Sequence, residues 1–478
     1  MAAPPVGAQE TEKPEVTFDT ADPQDEAEAI AEAATEEGAP LSYFDKRTER
    51  IAPAMGARAP RNVSRDVSVQ VMGDILGRYS QHVGFRSGDL GMMAPINADG
   101  EFAMIFGDSF RGDGVGKGEW MSPVGVVAKR DANGYVDIQR PLNRGERVEQ
   151  TIPYLRDGNL TLIPSDIINI DGTLYLQAMW TRGLHNVQYS QFWKSTDQGK
   201  TWQRAGHYYT GMKHKTSRKG LDEMLSWEMG PDGYVYIVTT TFERDHAAPL
   251  YLFRAAPENI TNRNAWEMVN LNDGTWVASD EPGTSILEKD RSGRPVQIGE
   301  MNLRYVDGYW VLVAFNEATL SVEVRISEEI ATDWNQIPAV TIAKNGPWGN
   351  EQTPNNWSQP YGGYIVPGSS INDMDIVVSQ WNTSTNNRYM STQFSVRGLE
   401  TAFGLEGFDR VAPRQSFGEK TVRPALPEPA ITAPASSAAA RTAVIVLGVI
   451  ATLGTLAAIS WPVLRPLLPP QVQHLLPF

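Results

Sequence analysis

Two aspartates, Asp89 and Asp108, close the far ends of two apolar runs that share one turn. Ser87 to Phe110 reads SGDLGMMAPINADGEFAMIFGDSF, with Asn97-Ala98-Asp99-Gly100 separating LGMMAPI from EFAMIF. An Asp-Gly between apolar runs is a strong hairpin signal, because glycine supplies the positive φ of a tight turn. If Ala98-Asp99 is the two-residue turn, positions summing to 197 face each other and Asp89 lies opposite Asp108. If Asp99-Gly100 is the turn, the sum is 199 and the aspartates are diagonal neighbours. Either register puts both on one face of the hairpin, since side chains alternate with period two. A single bulge between them breaks that parity. Facing like charges destabilise a sheet, so the pair asks for a chemical reason. Two carboxyls in one cavity drive their pKa values apart, one staying protonated while the other ionises. Glycoside cleavage uses such an acid/base pair. The plainer reading is that each aspartate caps a turn or pairs with Arg86 or Arg111.

The elements that must position this pair recur along the chain. INADGEFAMIFGDSF (from Ile96), NIDGTLYLQAMWTR (from Asn169), GPDGYVYIVTTTFER (from Gly230) and YVDGYWVLVAFNE (from Tyr305) share one pattern. Each has an apolar approach, an Asp-Gly turn, an alternating strand and a polar or aromatic tip. PGSSINDMDIVVSQWN (from Pro367) is a looser fifth copy. The turns, at Asp99, Asp171, Asp232, Asp307 and about Asp373, fall 61 to 75 residues apart, and a further strand follows each: VGVVAKR, QFWKSTDQGKTW, LYLFRAA, VEVRISEE and YMSTQFSV. Units of this size read as four-stranded blades, so the expected fold is an all-β five-bladed β-propeller over residues 62–402. Ser195 to Trp202, STDQGKTW, is an Asp-box-like turn, a fold marker and not a catalytic motif.

Inner strands of a propeller converge on a central channel, so the strand tips ring one mouth of it. Trp180, Arg182, Arg244, Asn316, Trp381 and Asn382 occupy such tips and offer stacking faces and hydrogen-bond donors suited to a sugar. The positions equivalent to Asp89 and Asp108 are Thr161 and Trp180, Asp222 and Thr241, then Gln297 and Asn316. Only the first repeat carries two carboxylates, so the blade fold does not demand them. Glu223, Glu228 and Glu300 read as substrate contacts or hydrogen-bond partners within blades. The six histidines show no paired ligand spacing, and no GxSxG elbow or P-loop is present, so neither a metal nor a cofactor is expected. The basic run Lys213 to Lys219 reads as a solvated loop, with an anionic glycan contact as the sharper alternative.

The flanks differ in texture. Residues 1–61, with the acidic, Ala-rich Asp22 to Gly38, have little to bury and read as disordered. Pro5-Val6-Gly7-Ala8 resembles the tail of a secretory cleavage site without the charged and apolar regions that precede one. Either the recorded start lies downstream of those regions or export does not use an N-terminal signal. Residues 403–440 read as a Pro/Ala-rich linker. Thr442 to Trp461, within 441–464, is uncharged and apolar; twenty residues at ~1.5 Å each span the ~30 Å hydrocarbon core. The expectation is a single-pass C-terminal transmembrane helix, a short tail at 465–478, and an extracytoplasmic propeller at the cell membrane. The net charge of −15 argues against nucleic acid, whose phosphates need a Lys/Arg-rich face, and no partner protein is implied. The chain has no cysteine, which removes disulfide and thiolate chemistry.

SGDLG, FGDSF and EWMSPVGVV, followed in order by LYLFRA, GEMNLRYVDGYWVL, QPYGGYIVP and VVSQWN, resemble a glycoside hydrolase family formerly catalogued as a domain of unknown function. Its members are endo-D-arabinanases, which cut α-linked D-arabinofuranose chains in arabinogalactan and lipoarabinomannan. The likeness runs from about Val67 to Val396. It implies Asp89 and Asp108 as the catalytic pair, with Trp120 and Ser122 beside them and D-arabinan as substrate. Met121 stands where the resemblance implies a basic residue. One aspartic acid would protonate the departing oxygen while the other carboxylate acts on the anomeric carbon, directly or through water. A separation of about 5–5.5 Å implies retention and about 6.5–9.5 Å inversion. The alternative is a membrane-tethered propeller that grips envelope glycan without cutting it. A sialidase ranks last, because no three-arginine arrangement with a Tyr/Glu pair is present.

Overall fold

The computed structural model describes residues 66–154, 160–183, 186–209, 222–244, 246–279, 283–344, 360–382, 386 and 388–427. Five antiparallel sheets form the five blades of a propeller. Blade one comprises Ser87–Pro95, Glu101–Phe110, Val124–Arg130 and Val136–Pro141, with Trp120–Met121 added beside the second strand. Blade two comprises Leu160–Ile170, Thr173–Arg182, Val187–Ser195 and Gln203–Tyr209; blade four, Ile298–Val306, Tyr309–Asn316, Ser321–Ser327 and Val340–Lys344. Blade three begins with Met224–Met229, Val235–Thr240, Leu250–Ala255 and Glu267–Asn270, and is extended by Thr275–Ala278 and Ser285–Leu287. The first strands of the blades touch one another in ring order, one to five and back to one, and so line the axis.

The Asp-Gly turns do what their sequence requires. Asp171-Gly172 and Asp307-Gly308 have positive φ at both residues, the mirror-image turn whose twist matches a hairpin. The Asp-box also serves as a turn: Asp197 accepts from the backbone and hydroxyl of Thr201, and Trp202 Nε1 donates to Gly199 O.

Blades pack face to face, so a middle strand is buried on both sides and loses the polar alternation of a surface strand. Val124–Arg130 and Met374–Trp381 are apolar or small-polar almost throughout for this reason. Blade five, Pro360–Ile365, Met374–Trp381 and Tyr389–Arg397, takes its fourth strand from the other end of the domain. Ser68–Asp74 pairs with Tyr389–Arg397 and closes the ring. Asp74 is buried beside Arg388, which donates to both its carboxylate oxygens, and Thr392 Oγ1 adds a third bond.

The compact unit continues to Leu426, well past the residue-402 boundary expected from composition. The described part of the supposed linker, 403–427, lacks strands after the short helix Leu399–Phe403 but is strapped onto the propeller. Arg423 makes a two-pronged pair with Asp137, Lys420 Nζ reaches Asp74 O, and Arg414 exchanges backbone bonds with the Gln70 amide. The reason lies in the cations and aromatics between the prolines, which find partners on blade one and the closing strand. Among the described residues no helix is long and apolar enough to cross a membrane. The 1–61 segment, the basic run at 213–219, the expected span at 441–464 and the tail lie outside the described residues.

Candidate active site

The first hairpin keeps the register that places residues summing to 197 opposite each other, from Pro95↔Phe102 to Ser87↔Phe110. It does so through two irregularities that cancel. Asp89 alone lies opposite the Gly107–Asp108 step, and Gly91 is the compensating extra residue on its own strand. The parity that a lone bulge would destroy is therefore restored. Leu90, between them, has φ of 61°, a left-handed conformation that costs an L-residue ~1–3 kcal/mol. Blade five holds it there: the Leu90 N–H donates to Ser379 Oγ at 2.7 Å, and Leu90 O accepts from Ser391 Oγ at 2.8 Å. Strain fixed from a neighbouring blade beside a buried carboxyl is the pattern of a working site, not of a spare turn.

Asp89 is 9% exposed. Tyr361 donates its hydroxyl to Asp89 Oδ2 at 2.8 Å, and the Tyr389 hydroxyl adds a second hydrogen bond. Burial foremost, then the charge of Asp108, pushes the Asp89 carboxyl up to about 8, against the opposing pull of both tyrosines. Its other oxygen, Oδ1, has no hydrogen-bond partner among the described residues and faces Gly107, where a β-carbon would stand 2.5 Å away. Asp108 is half-buried, and Trp120 Nε1 donates to its Oδ1 at 3.0 Å. Arg86 pairs with Asp113 and Arg111 with Glu119.

Arg244 and Glu300 complete the mouth. Arg244 Nη1 lies 3.1 and 3.0 Å from the two Glu300 oxygens, and its guanidinium sits over Tyr361, the ring that holds Asp89. Gly299 makes this possible, since a β-carbon there would lie 2.4 Å from Arg244 Cδ. Trp381 packs edge-on against Tyr389 at 5.7 Å and bonds Asn386 through Nε1. Trp120 thus contacts Asp108 directly, while Arg244 and Trp381 reach the pair through the rings of Tyr361 and Tyr389.

The other expected contacts do not gather there. Ser122 is fully buried and donates to Leu162 O, tying blade one to blade two. Trp180 is buried in blade two with Nε1 on Gln191. Asn316 is buried at a turn of blade four, accepting from Gln297 N and facing Glu323. Asn382 is buried in a local turn, bonded through its backbone to Arg388 and Asn386. Arg182 stays half-buried at its own strand end, where its N–H donates to Asn186 O. A strand tip fixes where a residue sits along the axis but not whether its side chain turns into the blade. Tyr361 and Tyr389 were missed; Tyr361, like Asp89 and Glu300, opens a first strand with a buried polar group, and that shared place was the available signal. Asp222, equivalent to Asp89 in the third repeat, is consumed by Arg263.

A cavity of about 490 Å³ opens at the opposite end of the channel, lined by Met93, Ile167, Glu228, Arg304 and Ile365 among others. Its charges serve the fold. Arg304 grips both oxygens of the fully buried Asp166, and donates to Met93 O and Trp227 O, joining blades one to four. Burial pushes the nearby Glu228 carboxyl up to about 7. At the aspartate mouth, by contrast, the charge of Asp108 adds to burial in raising the Asp89 carboxyl.

Gly107→Ala is expected to keep the fold, since its backbone suits any residue, yet to drive the new methyl to 2.5 Å from Asp89 Oδ1 and 2.9 Å from Leu90 Cδ1. A fall of ten-fold or more in turnover, with a loss of stability of ~1–3 kcal/mol from overpacking, is the expected result, and unchanged turnover would contradict this placement.

A domain of unknown function, DUF4185, matches residues 76–395. An uncharacterized 35.9 kDa protein from the asd 3' region of Mycolicibacterium smegmatis is 28% identical over 62% of this chain and 88% of its own. Notoamide biosynthesis cluster protein J of Aspergillus sp. (strain MF297-2) is 26% identical over 49% of this chain and 59% of its own. A candidate hydrolase from Bacteroides ovatus ATCC 8483 superposes with a TM-score of 0.50 at 12% identity, over 73% of this chain and 95% of that one, a likeness of fold.

Proposed function

Because the chain belongs to the DUF4185 family, we propose that it is a glycoside hydrolase that cuts D-arabinan, the α-linked D-arabinofuranose of cell-envelope arabinogalactan or lipoarabinomannan. The observation that carries the reading is the Asp89–Asp108 pair, with one carboxyl held up to about 8 beside another oriented by an indole N–H. Asp89 is the acid: it keeps its proton at neutral pH and delivers it to the departing ring-substituent oxygen. Asp108 is the carboxylate that acts on the anomeric carbon, directly or through water, as positive charge develops there. Tyr361 and Tyr389 hold Asp89 in place, while Glu300 holds Arg244 against the Tyr361 ring. The apolar span at 441–464 would anchor the enzyme in the cell membrane with its propeller outside, next to such a polymer.

The test is to incubate the chain with D-arabinan and resolve the products by size. Shortened oligosaccharides are expected. Release from another glycan but not from D-arabinan would discard the substrate and keep the hydrolase, whereas binding without release from any glycan would favour a tethered binding module.

A further inference from the structure

On the face that carries the aspartates, blade two presents four aromatic rings in a row across its strands. Tyr154, just before the first strand, meets Trp180 at 4.8 Å; Trp180 meets its cross-strand neighbour Tyr189 at 6.1 Å; Tyr189 meets Tyr208 at 5.2 Å. From Trp180 outward exposure rises. Trp180 is buried, Tyr189 half-buried, and Tyr208 is 49% exposed, a large outlay of apolar surface. Packing explains the inner rings but not the outer one.

The row begins where the catalytic cleft ends. Trp120, which orients Asp108, is two residues from Ser122, whose Oγ donates to Leu162 O; the N–H of that same Leu162 donates to the Tyr154 hydroxyl. One residue of blade two, Leu162, thus links the edge of the active site to the first ring. Trp381 of blade five stands on the other side of the aspartates, against Tyr389. The two aspartates therefore lie between aromatic groups on both flanks.

We propose that the outer part of this row, Tyr189 and Tyr208, is a distal binding site for a neutral polysaccharide whose chain crosses from the aspartates over blade two. This rests on the glycosidase reading and deepens it, since a substrate bound on both sides of the cleaved bond is cut internally. Rings offer flat faces to the C–H surfaces of sugars, and their hydroxyls meet sugar hydroxyls. The net charge of −15 disfavours a polyanion, so a neutral polysaccharide is the chosen occupant.

The test compares polymeric D-arabinan with a D-arabinofuranosyl tetrasaccharide, using the full chain and Tyr208→Ala and Tyr208→Phe. Tyr208→Ala should raise KM for the polymer roughly 2–10-fold, the range of one aromatic contact, and leave the tetrasaccharide unchanged. Tyr208→Phe should behave almost as the parent. Equal effects on both substrates, or none on the polymer, would overturn the proposal. Should the parent chain cut neither substrate, retardation in a gel containing the polymer replaces turnover: retardation weakened by Tyr208→Ala upholds the distal site while the glycosidase fails, and unaltered retardation, or none, overturns it.

Discussion

Asp89→Asn and Asp108→Asn are each expected to lower the rate of glycan cleavage by ~10²–10⁴-fold, the usual worth of a positioned acid or base. Neither should unfold the propeller. Asparagine is close in shape to aspartate, and the Tyr361 hydroxyl can donate to its carbonyl oxygen as it does to Asp89 Oδ2. The pH dependence has a definite sign. Burial first and Asp108 second raise the Asp89 carboxyl to about 8, so activity that needs its proton falls as pH rises through that value. Stability shifts in the same direction. The native state keeps the Asp89 proton up to about pH 8, whereas an unfolded aspartate releases it near ~4. Its contribution to stability is thus fully present below ~4 and is lost as pH climbs toward 8. Asp89→Asn removes this titration, and denaturation curves from pH 4 to 9 should show a shallower decline in the variant. Full activity in either variant would end the acid/base account.

Arg304→Met is expected to destabilise the protein by ~3–5 kcal/mol, because it strands a fully buried carboxylate. Arg304 is 13% exposed at the side chain and meets Asp166 through both terminal nitrogens at 2.9 Å. Ser226 Oγ donates to the same carboxylate and accepts from Leu303 N, so three blades meet on one anion. Removing the charge as well, in Asp166→Asn with Arg304→Met, should recover much of the loss, since the penalty is an unpaired charge and not missing volume. Chemical denaturation of the single and double variants measures this. A loss under 1 kcal/mol for Arg304→Met would mean that the axis is held by apolar packing alone.

Much of this was legible in the sequence because it is local. Four Asp-Gly turns announce the hairpins, their spacing counts the blades, and period-two alternation puts Asp89 and Asp108 on one face. Contacts between distant segments were not legible. Nothing in SVQVMGD says that it pairs with YMSTQFSVR more than three hundred residues on, yet Ser68↔Arg397 to Asp74↔Thr392 closes the ring. Nor do Tyr361 and Tyr389 announce that they meet Asp89 across the seam between blades five and one. The Pro-rich 403–427 stretch lacks the alternation of a strand, and its binding energy resides in single long side chains such as Arg423. Ser122, Trp180, Asn316 and Asn382 mislead for the converse reason: their chemistry suits a sugar, but neighbouring blades bury them.

The most direct measurement is a carboxyl-carbon NMR titration of aspartate-labelled protein, assigned by comparison with Asp89→Asn and repeated on Asp108→Asn. The Asp89 resonance should titrate near pH 8 in the parent chain and move downward when the Asp108 charge is removed. An Asp89 carboxyl that ionises near ~4, the value of a free aspartate, or that ignores the loss of Asp108, would contradict the claim that the two share one cavity.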